Sequence, residues 1–148
     1  MLFRSNPNFA LAHAFLAVPL GFQGLYQEVI ESAVRALRLS PSDRNVGLYA
    51  WFASANAQFA VGHYAEAVDS ARRAIERGPG HLGPHVFLTA ALVLRGDMTA
   101  AEEAKDALLR LRPGFSLTWM KENLPIQISG ELSDRLHKAL RRAGIPET

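Results

Sequence analysis

The sequence predicts an all-α protein built from stacked helical hairpins, and three observations carry that reading. Proline recurs at 7, 41, 79 and 113, and two of the three gaps are 34 residues. Gly62 with Gly96, and Ala67 with Ala101, repeat at the same spacing. Apolar residues fall at helical intervals, and no stretch reads as a strand. A fixed period of this length marks an array of small helical units, each burying its apolar face on the next.

Composition sets the outer bounds. The chain has 148 residues, of which 49% are hydrophobic and 20% charged, an ordinary balance for a folded domain with a sizeable core. Net charge is +2, with thirteen arginines against three lysines. This is a mild excess, short of the concentrated basic field of a dedicated nucleic-acid binder. There is no cysteine, which excludes a disulfide scaffold and a thiolate zinc site. A reducing compartment fits, and the expectation is a cytoplasmic protein. The apolar stretch from Phe9 to Phe22 is interrupted by His13 and covers 14 residues. It is too short to cross a bilayer, and no small-residue cleavage site closes it. It reads as a buried first helix.

The elements follow in order. The first unit, residues 10–43, contains Leu16, Ala17, Gly24, Tyr26, Ala33, Ala36 and Pro41, with Val29 at a position expected to be small. Pro19 falls inside its first helix, so this hairpin is expected to be irregular. The gap from Pro41 to Pro79 is 38 residues, and its extra residues lie between Ser42 and Gly47, which predicts an enlarged loop there. In the second unit, residues 48–81, two antiparallel helices can approach closely only where small side chains meet, which Ala55 and Ala67 provide. Gly62 allows the tight turn, and Pro79 ends the second helix.

The third unit, residues 82–115, opens with Gly83-Pro84 as cap and first helical residue. Its second helix opens at Asp97 or Thr99, with Thr99 and Glu102 spaced as a capping box. After Pro113, Ser116 can cap a helix that Pro125 stops after about two turns. From Glu131 to Ala143 the pattern is one amphipathic helix: Leu132, Leu136, Ala139, Leu140 and Ala143 share a face. Arg135, Lys138, Arg141 and Arg142 take the other, and Gly144 ends it.

Residues 48–81 resemble a tetratricopeptide repeat. Trp51 stands at the helix-A tryptophan position, Ala55 at the small position, and Gly62 and Tyr64 at the turn. Ala67 and Ala74 match the small positions of helix B, and Pro79 the closing proline. Ser54 and Gln58 depart from the family's leucine and tyrosine, and Ala71 replaces its aromatic. The third unit keeps Leu88, Gly96, Ala101 and Pro113, with His85 for the tryptophan and Met98 for the tyrosine. The resemblance implies a right-handed α-α superhelix of about three hairpins and a C-terminal capping helix, a single domain whose cap spans residues 116–148. Asn6-Pro7-Asn8 matches the end of a repeat whose helices are missing, which suggests the C-terminal part of a longer protein.

A second resemblance rests on Arg38-Leu39-Ser40-Pro41-Ser42-Asp43, Leu48-Tyr49-Ala50-Trp51-Phe52, Pro113-Gly114-Phe115-Ser116 and the ending Arg142-Ala143-Gly144-Ile145-Pro146-Glu147. These segments look like the C-terminal repeat region of bacterial multidomain proteins that carry a class III adenylate or guanylate cyclase domain, or a winged-helix regulator domain, ahead of the repeats. The resemblance implies a regulatory or scaffolding module with no cyclase residues of its own.

Candidate chemistry is sparse. His81 and His85 have a metal-ligand spacing, but Gly83-Pro84 lies between them and no third ligand follows. His13, His63 and His137 stand alone. No nucleophile motif, phosphate loop or carboxylate pair is present, so no catalytic residue, metal or cofactor is expected.

The remaining feature is a surface. The tetratricopeptide resemblance implies an inner face formed by helix A of each repeat: Leu11, Ala14, Val18 and Phe22; then Tyr49, Phe52, Asn56, Phe59 and Ala60; then Gly83, Val86, Ala90, Val93 and Leu94. This face is apolar and aromatic, and it lacks the lysines and arginines of arrays that clamp a C-terminal carboxylate. It suits a partner helix or extended segment docking through buried side chains, with Asn56 holding backbone polar groups. Packing of the same residues against a neighbouring helix is the competing reading, with Tyr49, Phe52 and Phe59 expected to remain exposed. On the groove reading, Phe52→Ala or Phe59→Glu would remove binding without unfolding the chain. One alternative is homodimerisation through the first hairpin at Phe15, Val18 and Phe22. Another is nucleic-acid binding through Arg72, Arg73, Arg77, Arg141 and Arg142, disfavoured because these arginines lie on separated helices.

Overall fold

The computed structural model describes residues 23–124 and 130–148, and within them the chain is all-helical, with seven helices and no strand. The helices are α1 (Gln23–Leu39), α2 (Arg44–Ala60), α3 (Tyr64–Arg77), α4 (Leu82–Arg95), α5 (Met98–Leu111), α6 (Leu117–Asn123) and α7 (Glu131–Ala143). Helices α1 to α5 are joined by connections of two to four residues, and each packs on the next. Such short links make neighbours antiparallel. Helix α2 also touches α4 directly, so α2 and α4 form one layer with α3 wedged against both.

Small residues permit this packing. Ala55, Ala67, Ala71, Ala74, Ala91 and Ala101 are all fully buried, which brings helix backbones close enough for the larger side chains to interlock. Phe59, Phe87, Leu92 and Leu108 fill the space between them. Each contributes roughly 1.5–3 kcal/mol relative to an exposed position. Gly62 and Gly96 end α2 and α4 with φ of 86° and 92°, the left-handed conformation that an L side chain resists.

The long gap after Pro41 is resolved differently from the sequence expectation. No enlarged loop forms. Asp43 Oδ1 accepts from Val46 N at 3.0 Å, and α2 starts at Arg44 and runs 17 residues against 14 in α4. The extra residues therefore add a turn to the helix, because a good cap precedes them. Gly47 sits inside that added turn, where the Arg77 guanidinium lies over it and occupies the space of a Cβ.

Other ends follow local chemistry with one change. Asp97, and not Thr99, caps α5, accepting from Ala100 N at 3.1 Å. Ser116 Oγ accepts from Trp119 N at 3.0 Å, and α6 ends after 7 residues. Helix α4 begins at Leu82 with His81 as its cap, so Pro84 is its third residue and not its first. Proline is tolerated there because the first turn's N–H groups have no intrahelical acceptor.

Helix α7 is placed where a simple end cap would not be. A helix stacked next in line would pack mainly on α5, as α4 packs on α3. Instead α7 packs mainly on α4 and meets α5 only slightly. Leu132, Leu136, Ala139, Leu140 and Ala143 are its buried residues. Behind it, Leu117 N and Thr118 N donate to the carbonyls of Pro146 and Glu147, both at 3.0 Å, tying the C-terminal tail to the start of α6.

Candidate partner-binding face

Tyr49, Phe52, Asn56 and Phe59 follow one another at helical spacing, so they form a single stripe along α2. Exposure falls steadily along it. Tyr49 is 46% exposed, Phe52 is half-buried, Asn56 is 5% exposed and Phe59 is fully buried. On α4, Val86, Ala90 and Val93 are buried and Leu94 is half-buried. The face is thus open at the N-terminal end of α2 and closed at its C-terminal end.

At the open end, Tyr49 meets the His81 ring edge-on, with centroids 6.3 Å apart. Phe52 packs over Gly83 and against Phe87, ring centroids 6.0 Å apart. At the closed end, Phe59 is enclosed by Phe87 at 5.5 Å and Tyr64 at 5.6 Å. Of the three aromatics expected to remain exposed, Phe59 does not. Arg135 of α7 also reaches this end: its Nη1 donates to the carbonyls of Phe59 at 3.1 Å and Ala60 at 3.2 Å, and its guanidinium carbon lies 5.9 Å from the Phe59 ring. Phe59→Glu would place a carboxylate in a closed apolar site, so it is not a clean test of binding.

Two polar atoms stand out in this layer. Among the described residues nothing hydrogen-bonds to Asn56 Oδ1 or to His85 Nδ1, and both atoms are buried. His85 turns its other ring nitrogen to the Pro79 carbonyl at 2.9 Å, so the pair His81 and His85 points to different neighbours. A buried carbonyl oxygen without a donor is costly, and Asn56 carries one on the candidate face itself.

The arginines do not gather into a stripe. Arg73 pairs with Asp69 at 3.0 Å and covers the Trp51 ring at 4.9 Å, while Arg77 packs over Gly47. Arg141 donates through Nε and Nη2 to the two Glu147 carboxylate oxygens, each at 2.9 Å. The Arg141 hydrogen bonds hold the Glu147 carboxyl below the usual carboxylate range, and the same bonds raise Arg141. A cleft of about 400 Å³ lies between α6 and α7, lined by Leu117, Lys121, His137, Arg141 and Glu147. Its Arg141 and Glu147 satisfy each other.

Two features escaped sequence reasoning. Arg135 sits on the polar side of α7 by pattern, yet its long side chain reaches the end of α2. Gln58 stands where an aromatic was expected, and with its amide turned so that the nitrogen faces the surrounding acceptors it donates to Ser70 Oγ at 2.7 Å, the Ser54 carbonyl at 3.1 Å and the Glu66 carbonyl at 3.0 Å. The spacing of Gln58 and Ser70 across the turn was the available signal. Phe15, Val18 and Phe22, with Leu11, Ala14 and Pro19, lie outside the described residues.

No described helix is long and apolar enough to cross a membrane. The chain matches no model of a known protein family, and no curated protein sequence matches it.

Proposed function

We propose that this chain is a non-catalytic protein-interaction module of tetratricopeptide type, a right-handed superhelix of about three hairpins that takes a segment of a partner protein on its α2–α4 face. One observation carries the reading. A single stripe on α2 joins an exposed aromatic, Tyr49, to a half-buried one, Phe52, and then to the unpaired acceptor of Asn56. An exposed and a half-buried aromatic are anchors that an incoming peptide's side chains can use, and the buried Asn56 amide behind them still lacks a donor.

A photo-crosslinking side chain at position 49, expressed in the native host, tests this directly. The expected result is a discrete protein adduct at position 49 that is absent when the crosslinker is placed at exposed Arg72. The same partner should be lost from a Tyr49→Ala, Phe52→Ala chain that retains its helical circular dichroism. Equal adducts at positions 49 and 72, or full retention of the partner by the double variant, would end this reading.

A further inference from the structure

Helix α7 already shows what the α2–α4 face accepts. Its apolar residues repeat as Leu132, Leu136, Ala139, Leu140 and Ala143, and all are buried. Between the first two stands Arg135, which donates to the carbonyls of Phe59 and Ala60 at the C-terminal end of α2. Those carbonyls lie at the negative end of the helix dipole, where a cation is favoured. The contact is therefore a paired recognition: a leucine-alanine stripe against α4, and one arginine against the end of α2.

Several features make this occupant replaceable. The N-cap of α7 is Gly130, with no side-chain cap bond. The helix has 13 residues, a length that is marginal for an isolated helix in water, so its order depends on docking. The clasp behind it, Arg141 with Glu147, is solvent-exposed, and such pairs are worth little. Helix α7 also leaves the open end of the stripe unused: Tyr49 remains 46% exposed and Phe52 is only half-buried. An occupant that reached both would bind the face better than α7 does, which is the differential affinity an exchange requires.

We propose that α7 is an internal occupant of the partner-binding face, and that the partner segment is an amphipathic helix of the same chemistry, with a Leu-x-x-Arg-Leu-x-x-Ala-Leu core, that enters by displacing α7. This rests on the reading proposed above. Release of α7 uncovers the α4 face and frees the carbonyls of Phe59 and Ala60, and the incoming helix replaces the Arg135 contact while extending toward Tyr49.

The probe is a fluorescent peptide of residues 131–148, measured by anisotropy against the full chain and against a full chain carrying Leu136→Asp and Leu140→Asp. A tethered segment competes at an effective concentration of about a millimolar, so the wild-type chain is expected to bind the peptide at least ~100-fold more weakly than the opened variant. Arg135→Gln in the peptide should weaken binding to the opened variant. Equal binding by both chains would show that α7 does not close the face and would overturn this inference, leaving the proposed function in place. No binding to a variant that is folded with α7 undocked would overturn both. If the variant does not fold, hydrogen exchange on the wild-type chain decides. Exchange of α7 amides while α2 and α4 stay protected supports displacement, and exchange of all three in one global opening overturns it.

Discussion

The ring of Phe52 occupies the space that a side chain on Gly83 would need, so that a Cβ at residue 83 would overlap the ring tip. Glycine at the start of α4 is thus the reason that α2 and α4 can share an aromatic contact. Gly83→Ala gains helix propensity of up to ~1 kcal/mol but must push a ring already held against Phe87, an overpacking cost of about 1–3 kcal/mol. The net effect is expected to be destabilising by about 1 kcal/mol in urea unfolding. In a Phe52→Ala background the same change should be neutral or stabilising, because the obstruction is gone. A stabilised single variant would mean that the ring turns aside without loss.

Gln58 and Ser70 form a part-buried polar bridge between α2 and α3, and it should behave as a unit. Ser70 is 2% exposed, and Ser70→Ala removes one of the three oxygens facing the Gln58 amide nitrogen while the Ser54 and Glu66 carbonyls remain, a loss of about 0.5–1.5 kcal/mol. Gln58→Leu takes away the side-chain partner of the buried Ser70 hydroxyl, so adding Ser70→Ala to it should recover part of its loss, since no hydroxyl is then stranded. Additive losses in the double-mutant cycle would show that the bridge carries no coupling.

Gly96 offers a purely backbone experiment. Its φ is 92°, and nothing lies within 4 Å of where a Cβ would stand. Its N–H and that of Asp97 close the end of α4 on the carbonyls of Val93 and Leu92, at 3.0 Å and 2.9 Å. Gly96→Ala should therefore cost roughly 1–2 kcal/mol from conformation alone, and Gly96→Asn less, since asparagine tolerates this region. An alanine variant as stable as the wild type in thermal unfolding would place residue 96 outside the left-handed region.

These tests also mark what could be read from the chain alone. The bounds and buried face of α7 were legible, because Leu132, Leu136, Ala139, Leu140 and Ala143 hold one helical period. So were the turn at Gly62 and the cap at Ser116, each being local chemistry. The added turn of α2 was not, because its glycine reads as a breaker, and the reason for a glycine there, the Arg77 guanidinium lying where a Cβ would stand, is a tertiary contact. Nor was the burial of Phe59. Periodicity gives the face of a helix that is apolar, but Phe59 is closed in by Phe87 of α4 and Tyr64 of α3, and how those helices meet is a tertiary fact. That Tyr49, Phe52, Asn56 and Phe59 share one face of α2 was therefore legible from spacing, while the closed end of that face and Arg135 were invisible until the helices were packed.

The C-terminal clasp gives a pH test with a defined sign. Hydrogen bonds from Arg141 hold the folded-state pKa of Glu147 below its unfolded value, and the nearby guanidinium charge adds to this. The clasp's contribution is therefore fully present above the ordinary carboxylate pKa and is lost as pH falls through the lower folded value. Both groups are exposed, so global unfolding should barely respond. The tail itself should respond. As Glu147 protonates, the amides of Leu117 and Thr118, which donate to the carbonyls of Pro146 and Glu147, are expected to lose protection from hydrogen exchange after correction for intrinsic rates. A carboxyl-detected NMR titration should place Glu147 below an ordinary glutamate, about 4.3, and Arg141→Gln should return it there. An ordinary Glu147 titration in the wild type, or tail amides whose corrected protection ignores its protonation, would show that the ion pair does not hold the tail against α6.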